Sequence, residues 1–207
     1  MKTSEADILI VPGWSSSGPD HWQSRWEKNL KTARRIEQQD WVRPDKDAWV
    51  ARIVEAAAQS VRPVVLVGHS LGTIAIAHAG AKLARLPAPP IGAFLVAPAD
   101  VDRAHSWPVT AGETFGAGQE SGFAPLPRAI LPFPSVLVAS GNDPYCSADR
   151  AREFAGVWGS TVIESGEVGH INVASGHGPW PDGLLAFGIF LQRLSAAPVA
   201  LKRTPDA

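Results

Sequence analysis

The strongest constraint on the fold lies in residues 63–84. Val64-Val65-Leu66-Val67 is an uncharged, β-branched run that leads straight into Gly68-His69-Ser70-Leu71-Gly72. A run of strand length with no polar alternation reads as a strand covered on both faces. The Ala- and Gly-rich stretch over 70–84 predicts a helix slim enough to lie close on that strand. Nothing separates the two elements, so the chain must turn sharply at Ser70. Such a turn lifts the serine hydroxyl clear of the sheet edge. Side chains two places before and after it would collide with the turn, and Gly68 and Gly72 stand there. G-x-S-x-G is a common pentapeptide, but between a strand and a helix it has the form of a nucleophile elbow.

Other apolar runs predict strands at 8–11, 91–97, 134–140 and, more briefly, 160–164, with a polar strand at 35–38. Helices are predicted at 19–30, 45–60, 147–158 and 181–194. Trp22 and Trp26 share one face of the first, while Trp49 and Ile53 share one face of the second. These two pairs, without Ile53 but with Trp158, are expected in the core. Strands alternating with helices pair in parallel through crossovers. The expected fold is therefore an α/β three-layer sandwich. It has a six-stranded parallel sheet with helices on both faces. A chain of 207 residues with 45% hydrophobic content fits one domain over 1–195. Residues 196–207, with Pro198 and Pro205 and no apolar face, read as a disordered tail. Residues 100–132 show little periodicity and are expected to form a lid or pocket wall.

Charge and composition exclude several roles. A net charge of −1 carries no electrostatic footprint for nucleic acid or an anionic membrane. No apolar run is long enough to span a bilayer, and residues 1–7 are not a targeting signal. The single cysteine, Cys146, excludes a disulfide framework and a cysteine-based zinc site. The expectation is a cytoplasmic protein needing no metal and no cofactor.

A serine hydroxyl is a weak nucleophile at neutral pH, so Ser70 needs a base, and the base needs an orienting carboxylate. Asp143 follows the run at 134–140, and His170 follows the run at 160–164. Both are thus expected at the sheet edge that carries Ser70. Asp100 competes as the acid, with Asp102 behind it, and His177 competes as the base. His69 is adjacent to Ser70 and is expected to buttress the elbow, and His78 to be structural. His21 and His105 could touch substrate. Oxyanion donors are expected from the backbone N–H of Leu71, after the nucleophile, and of Trp14, in the loop after the first strand, with Ser15 second. Ser15, Trp107, Phe115, Phe123 and Tyr145 are the candidate pocket residues.

Pro12-Gly13-Trp14 with His21-Trp22, the elbow, Asn142-Asp143-Pro144-Tyr145 and Gly169-His170-Ile171-Asn172 together carry a resemblance. So do Ser175-Gly176 and Gly178-Pro179-Trp180-Pro181. The chain resembles the retinoblastoma-binding protein 9-like serine hydrolases, small members of the α/β-hydrolase superfamily. The resemblance covers about residues 8–194 and implies a Ser70-Asp143-His170 triad. It does not carry over retinoblastoma-protein binding, because the L-x-C-x-E motif is absent around Cys146. Relative to the full α/β-hydrolase sheet, two strands before the one at 8–11 are expected to be missing, so the resemblance implies six strands in the order 2-1-3-4-5-6. The minimal fold suggests a shallow, open site. The leading expectation is cleavage of small carboxylic esters through an acyl-enzyme. One alternative is an amidase or aminopeptidase with the same triad, using Glu167 or Asp100 to anchor a substrate amine. Another is a binding protein on a hydrolase scaffold. Oligomeric state is left open.

Overall fold

The computed structural model describes residues 1–103, 107–110, 112–115 and 120–196. His105 and residues 197–207 of the expected tail lie outside the described residues. The strands are β1 (Asp7–Val11), β2 (Ala33–Arg35), β3 (Val64–Ser70), β4 (Gly92–Pro98), β5 (Val109–Thr110), β6 (Glu113–Thr114), β7 (Ser135–Ala139) and β8 (Thr161–Glu164). The helices are α1 (Trp22–Asn29), α2 (Lys46–Ala58), α3 (Leu71–Leu83), α4 (Ala148–Trp158) and α5 (Pro181–Ala196). The main sheet has the order β2-β1-β3-β4-β7-β8, and every pairing in it is parallel. This is the expected order. β5 and β6 form a separate antiparallel pair.

Both sheet faces are covered, which is why the central strands lack polar alternation. Leu9, Val11, Leu66, Leu95 and Leu137 face one layer with Trp49, Ile53, Ile74, Phe154 and Trp158, from α2, α3 and α4. Their sequence neighbours Ile8, Ile10, Val65, Val67, Phe94 and Val138 face the other layer with Trp22, Trp26, Phe187 and Phe190, from α1 and α5. The period-2 pleat thus feeds two separate cores. Trp22 packs against Trp26 and Trp180 at centroid distances of 4.8 and 5.0 Å. All four tryptophans expected in the core are buried.

Several boundaries shift by a residue or two, and three of the differences matter here. The edge strand is Ala33–Arg35, not 35–38, because β1 pairs Ile8 with Ala33 and Ile10 with Arg35. The first helix starts at Trp22, not residue 19, because the His21 side chain accepts the Gln23 N–H and caps it. α5 runs through Ala196, past the expected end at 194–195. Among the described residues, no helix is long and apolar enough to cross a membrane.

From β1 the chain moves outward to β2 and then returns to the other side of β1 as β3. This reversal opens a crevice at the carboxyl ends of β1 and β3. The loop after β1 carries Trp14, and Ser70 is the last residue of β3. Gly72 sets how close they come: a Cβ there would lie 2.1 Å from the Val11 carbonyl oxygen and 2.6 Å from that of Pro12. Gly72→Ala should therefore destabilise the protein by at least about 2 kcal/mol in urea unfolding. Gly156→Ala, in α4 with open space around it, should stabilise it by about 0.5–1 kcal/mol.

Candidate active site

Ser70 ends β3 and caps α3 with φ 55° and ψ −124°. A left-handed φ at a non-glycine residue stores roughly 1–3 kcal/mol, and the surroundings must enforce it. Gly68 and Gly72 permit it. A Cβ at Gly68 would sit 2.8 Å from Ile76 Cδ1 and 3.1 Å from the Thr73 backbone. The Thr73 hydroxyl donates to the Ser70 carbonyl at 2.7 Å. Leu71 carries the first N–H of α3, which has no carbonyl a turn earlier to receive it. Gly13 lies directly on the elbow: a Cβ there would meet Ser70 Cβ at 2.7 Å and Leu71 N at 3.2 Å. The next residue, Trp14, is pinned by its indole N–H, which donates to the Val42 carbonyl at 2.7 Å. The Ser15 N–H donates to the Trp41 carbonyl at 2.8 Å. This removes Ser15 as the second choice for an oxyanion donor.

His170 Nδ1–H donates to both carboxylate oxygens of Asp143, at 3.0 and 2.9 Å. Both side chains are buried. Spending the Nδ1 proton this way leaves Nε2 as the basic nitrogen. The loops holding the two residues are stitched together. Asn142 Oδ1 accepts the Gly169 N–H at 2.7 Å, and the Ser140 hydroxyl accepts the Val168 N–H at 3.1 Å. The Gly141 N–H donates to the Gly166 carbonyl at 2.7 Å. Behind them, His69 Nε2–H donates to the His170 carbonyl at 2.8 Å, and Trp22 Nε1–H donates to the Ile171 carbonyl at 2.9 Å.

The competing candidates are engaged elsewhere. Asp100 is gripped by the Arg150 fork at 2.8 and 3.0 Å, which ties the loop after β4 to α4. Asp102 accepts the Leu126 N–H at 3.0 Å. His78 Nε2–H donates to the Phe123 carbonyl at 2.8 Å, a structural role. His177 Nδ1 lies 3.2 Å from the Ser175 hydroxyl and does not line the Ser70 cavity.

That cavity has a volume of about 290 Å³. Ser70, Leu71, His170, Trp14, Ser15, Trp107, Phe115 and Tyr145 all line it. Trp107 and Phe115 come from the irregular segment, whose described residues there form a wall of the cavity. Phe123 does not line the cavity. It is fully buried against Trp49, at a centroid distance of 5.7 Å, because the chain has already turned back into the core under α2. A continuous series of rings runs round the site. Trp14, Phe115, Trp107, Tyr145, His170, His69 and His21 follow one another at centroid distances of 6.4, 5.0, 5.4, 4.6, 4.8 and 4.9 Å. Among the described lining residues there is no Asp, Glu, Lys or Arg. Among the described residues no cluster of His, Cys, Asp and Glu could hold a metal ion. Burial, helped by the neighbouring His170, Arg35 and His177, pushes His21 down to about 3. Burial also drives His69 well below the ordinary histidine value.

Sequence reasoning assigned no positioning role to Asn142 or to the Trp22 indole N–H. Both make contacts across long sequence separations that no local pattern marks.

The profile of a family described as serine hydrolase matches residues 8–188. The chain belongs to this serine hydrolase family. A YdeN-like hydrolase from Pectobacterium atrosepticum is 32% identical, with 93% of this chain and 94% of that one covered and a TM-score of 0.77. The ydeN gene product of B. subtilis shares the fold at 18% identity, 93% and 100% coverage and a TM-score of 0.64. Est1E from Butyrivibrio proteoclasticus, in a structure with ferulic acid bound, shares it at 11% identity. There the coverage is 92% and 89% and the TM-score 0.68. A comparison with curated proteins gives no match. The minimal α/β-hydrolase fold is thus shared with serine hydrolase relatives.

The buried neutral histidines make stability pH-dependent. The unfolded chain takes up a proton at His21 below about pH 6.5, whereas the folded protein refuses it until about pH 3. Acid therefore costs stability through that window, with His69 adding in the same direction. Urea midpoints measured from pH 6.5 to 4.5 should fall steadily. His21→Asn should reduce the slope by close to one proton, about 1.4 kcal/mol per pH unit.

Proposed function

We propose that this serine hydrolase cleaves small, uncharged carboxylic esters through an acyl-enzyme on Ser70. The observation that carries the reading is the Asp143–His170 pair. It orients the imidazole so that bare Nε2 belongs to the same cavity as a serine held in a strained elbow. In the first step His170 Nε2 takes the Ser70 hydroxyl proton while Oγ bonds to the ester carbonyl carbon. The carbonyl oxygen becomes an oxyanion, received by the N–H groups of Leu71 and Trp14. Collapse breaks the bond to the alcohol oxygen, which leaves with the proton from His170. Water then gives a proton to His170 as its oxygen adds to the acyl carbon. The acid departs, and Ser70 recovers its proton. Asp143 holds the tautomer and stabilises the imidazolium throughout.

The cavity chemistry favours esters over aminopeptidase substrates. An amine anchor requires a carboxylate, and none lines the described cavity. Asp100 is committed to Arg150, and Glu167 is exposed outside the cavity. The aromatic arc from Trp14 to Tyr145 suits a short apolar or aromatic acyl group, in keeping with the ferulic acid held by Est1E. No cofactor enters the reaction as written. Cytoplasmic residence belongs to the same reading, with Cys146 a buried free thiol.

A fluorophosphonate probe should label the wild type at Ser70, and Ser70→Ala should lose both the label and ester turnover. Asp143→Asn should keep the fold and lose about 10⁴-fold in kcat, because the wrong tautomer is then favoured. In parallel assays, p-nitrophenyl acyl esters should turn over and aminoacyl-arylamides should not. An unlabelled Ser70, or arylamides cleaved faster than esters, would overturn the proposal.

A further inference from the structure

The imidazole end of the ring series has a task that the reaction above leaves open. His21 is buried and lines the cavity. Its Nδ1 accepts the Gln23 backbone N–H at 3.1 Å, as the cap of α1. A backbone N–H can only donate, so Nδ1 carries no proton, the ring is neutral, and its one proton sits on Nε2. Among the described residues no protein group accepts that proton. Nor is Nε2 among the sealed, unpartnered side-chain atoms, so it remains open to the cavity. Ser16 lines the same cavity, and its hydroxyl oxygen accepts from Arg35 Nη1 at 2.9 Å. With that lone pair engaged, the Ser16 proton is free to point away from Arg35. Arg35 is itself held by Glu27 at 3.2 Å and by the Ser17 carbonyl at 2.9 Å, so the arrangement is built rather than loose.

Two neutral donors thus converge on a cavity whose other wall is aromatic. A charged group finds no counter-ion there, and an apolar group would leave both donors unpaired, which costs more than a hydrogen bond returns. We infer that His21 and Ser16 form a donor subsite beside the nucleophile for an uncharged acceptor oxygen of the substrate, such as an ether, hydroxyl or carbonyl oxygen near the scissile bond. This rests on the reading of Ser70 as the nucleophile. The oxygen could belong to the acyl part or to the alcohol part, and the recognition chemistry is the same for both.

Two substitutions separate the cap from the donor. His21→Asn places an amide oxygen near the Nδ1 position and keeps the cap, but it is too short to supply the Nε2 donor. His21→Gln places an amide N–H near the Nε2 position and sacrifices the cap. The substrates are matched pairs. On the acyl side p-nitrophenyl methoxyacetate is compared with p-nitrophenyl butyrate, and on the alcohol side 2-methoxyethyl acetate with butyl acetate. Intrinsic reactivity cancels when each variant is divided by the wild type on the same ester. On one of the two pairs, His21→Asn should lower kcat/KM for the oxygen-bearing ester about fivefold to tenfold more than for its partner. The loss should fall mainly on KM. Ser16→Ala should act in the same direction. His21→Gln should retain the discrimination even where its melting temperature falls. A purely structural His21 predicts the reverse, with His21→Gln the worse variant and both members of each pair falling together. That result overturns the subsite while Ser70 labelling and ester turnover persist. Loss of labelling in the wild type overturns the underlying reading together with it.

Discussion

The site depends on a contact between two stretches of backbone. Gly72, in the first turn of α3, lies against the carbonyl oxygens of Val11 and Pro12 at the end of β1, closer than any side chain would allow. This contact fixes the separation of the loop after β1 from the turn between β3 and α3. Gly13 then sits on Ser70 and Leu71, so the two proposed oxyanion donors belong to segments that cannot drift apart independently. Preorganised donors of this kind cost no reorganisation when charge develops. The strained Ser70 backbone is held by the same packing that positions its helpers.

The proposed acid and base are held by a different device. Their loops follow β7 and β8, neighbours in the sheet, and short polar contacts between Ser140, Asn142, Val168 and Gly169 join them. Without these contacts, two surface loops would have to find one geometry against their own entropy. The Asp143 carboxylate is buried against His170, and the described lining of the cavity contains no competing fixed charge. An imidazolium formed on His170 therefore finds its counter-charge in one place.

Much of this was legible in the sequence. The apolar runs declared a doubly covered parallel sheet, and the order of its strands was implied by the resemblance to α/β-hydrolases. Ser70, Asp143 and His170 stood out because each follows a predicted strand, and a parallel sheet sends all such ends to one edge. Less could be read where long-range geometry decides. Phe123 and Phe115 lie in the same irregular segment with the same local signature, yet one fills the core and the other the cavity. Asp100 and Asp143 both follow strands, and only long-range partners, Arg150 of α4 for one and His170 for the other, separate them. The edge strand slipped because Ala33 and Arg35 carry no apolar pattern of their own and take their register from β1. His21 looked like a wall residue, and its tautomer emerged only once the cap it makes could be seen.

Two consecutive carbonyls of the base loop, those of His170 and Ile171, are grasped by N–H groups of His69 and Trp22. Trp22 belongs to the first helix of the chain, and the loop it holds precedes the last. The proposed nucleophile and the loop of Trp14 thus come from about the first third of the chain, and the proposed base from its last fifth. In the proposed reaction, hydrolytic competence is then a property of the completed fold, and turnover reports that the early and late parts of the chain have joined.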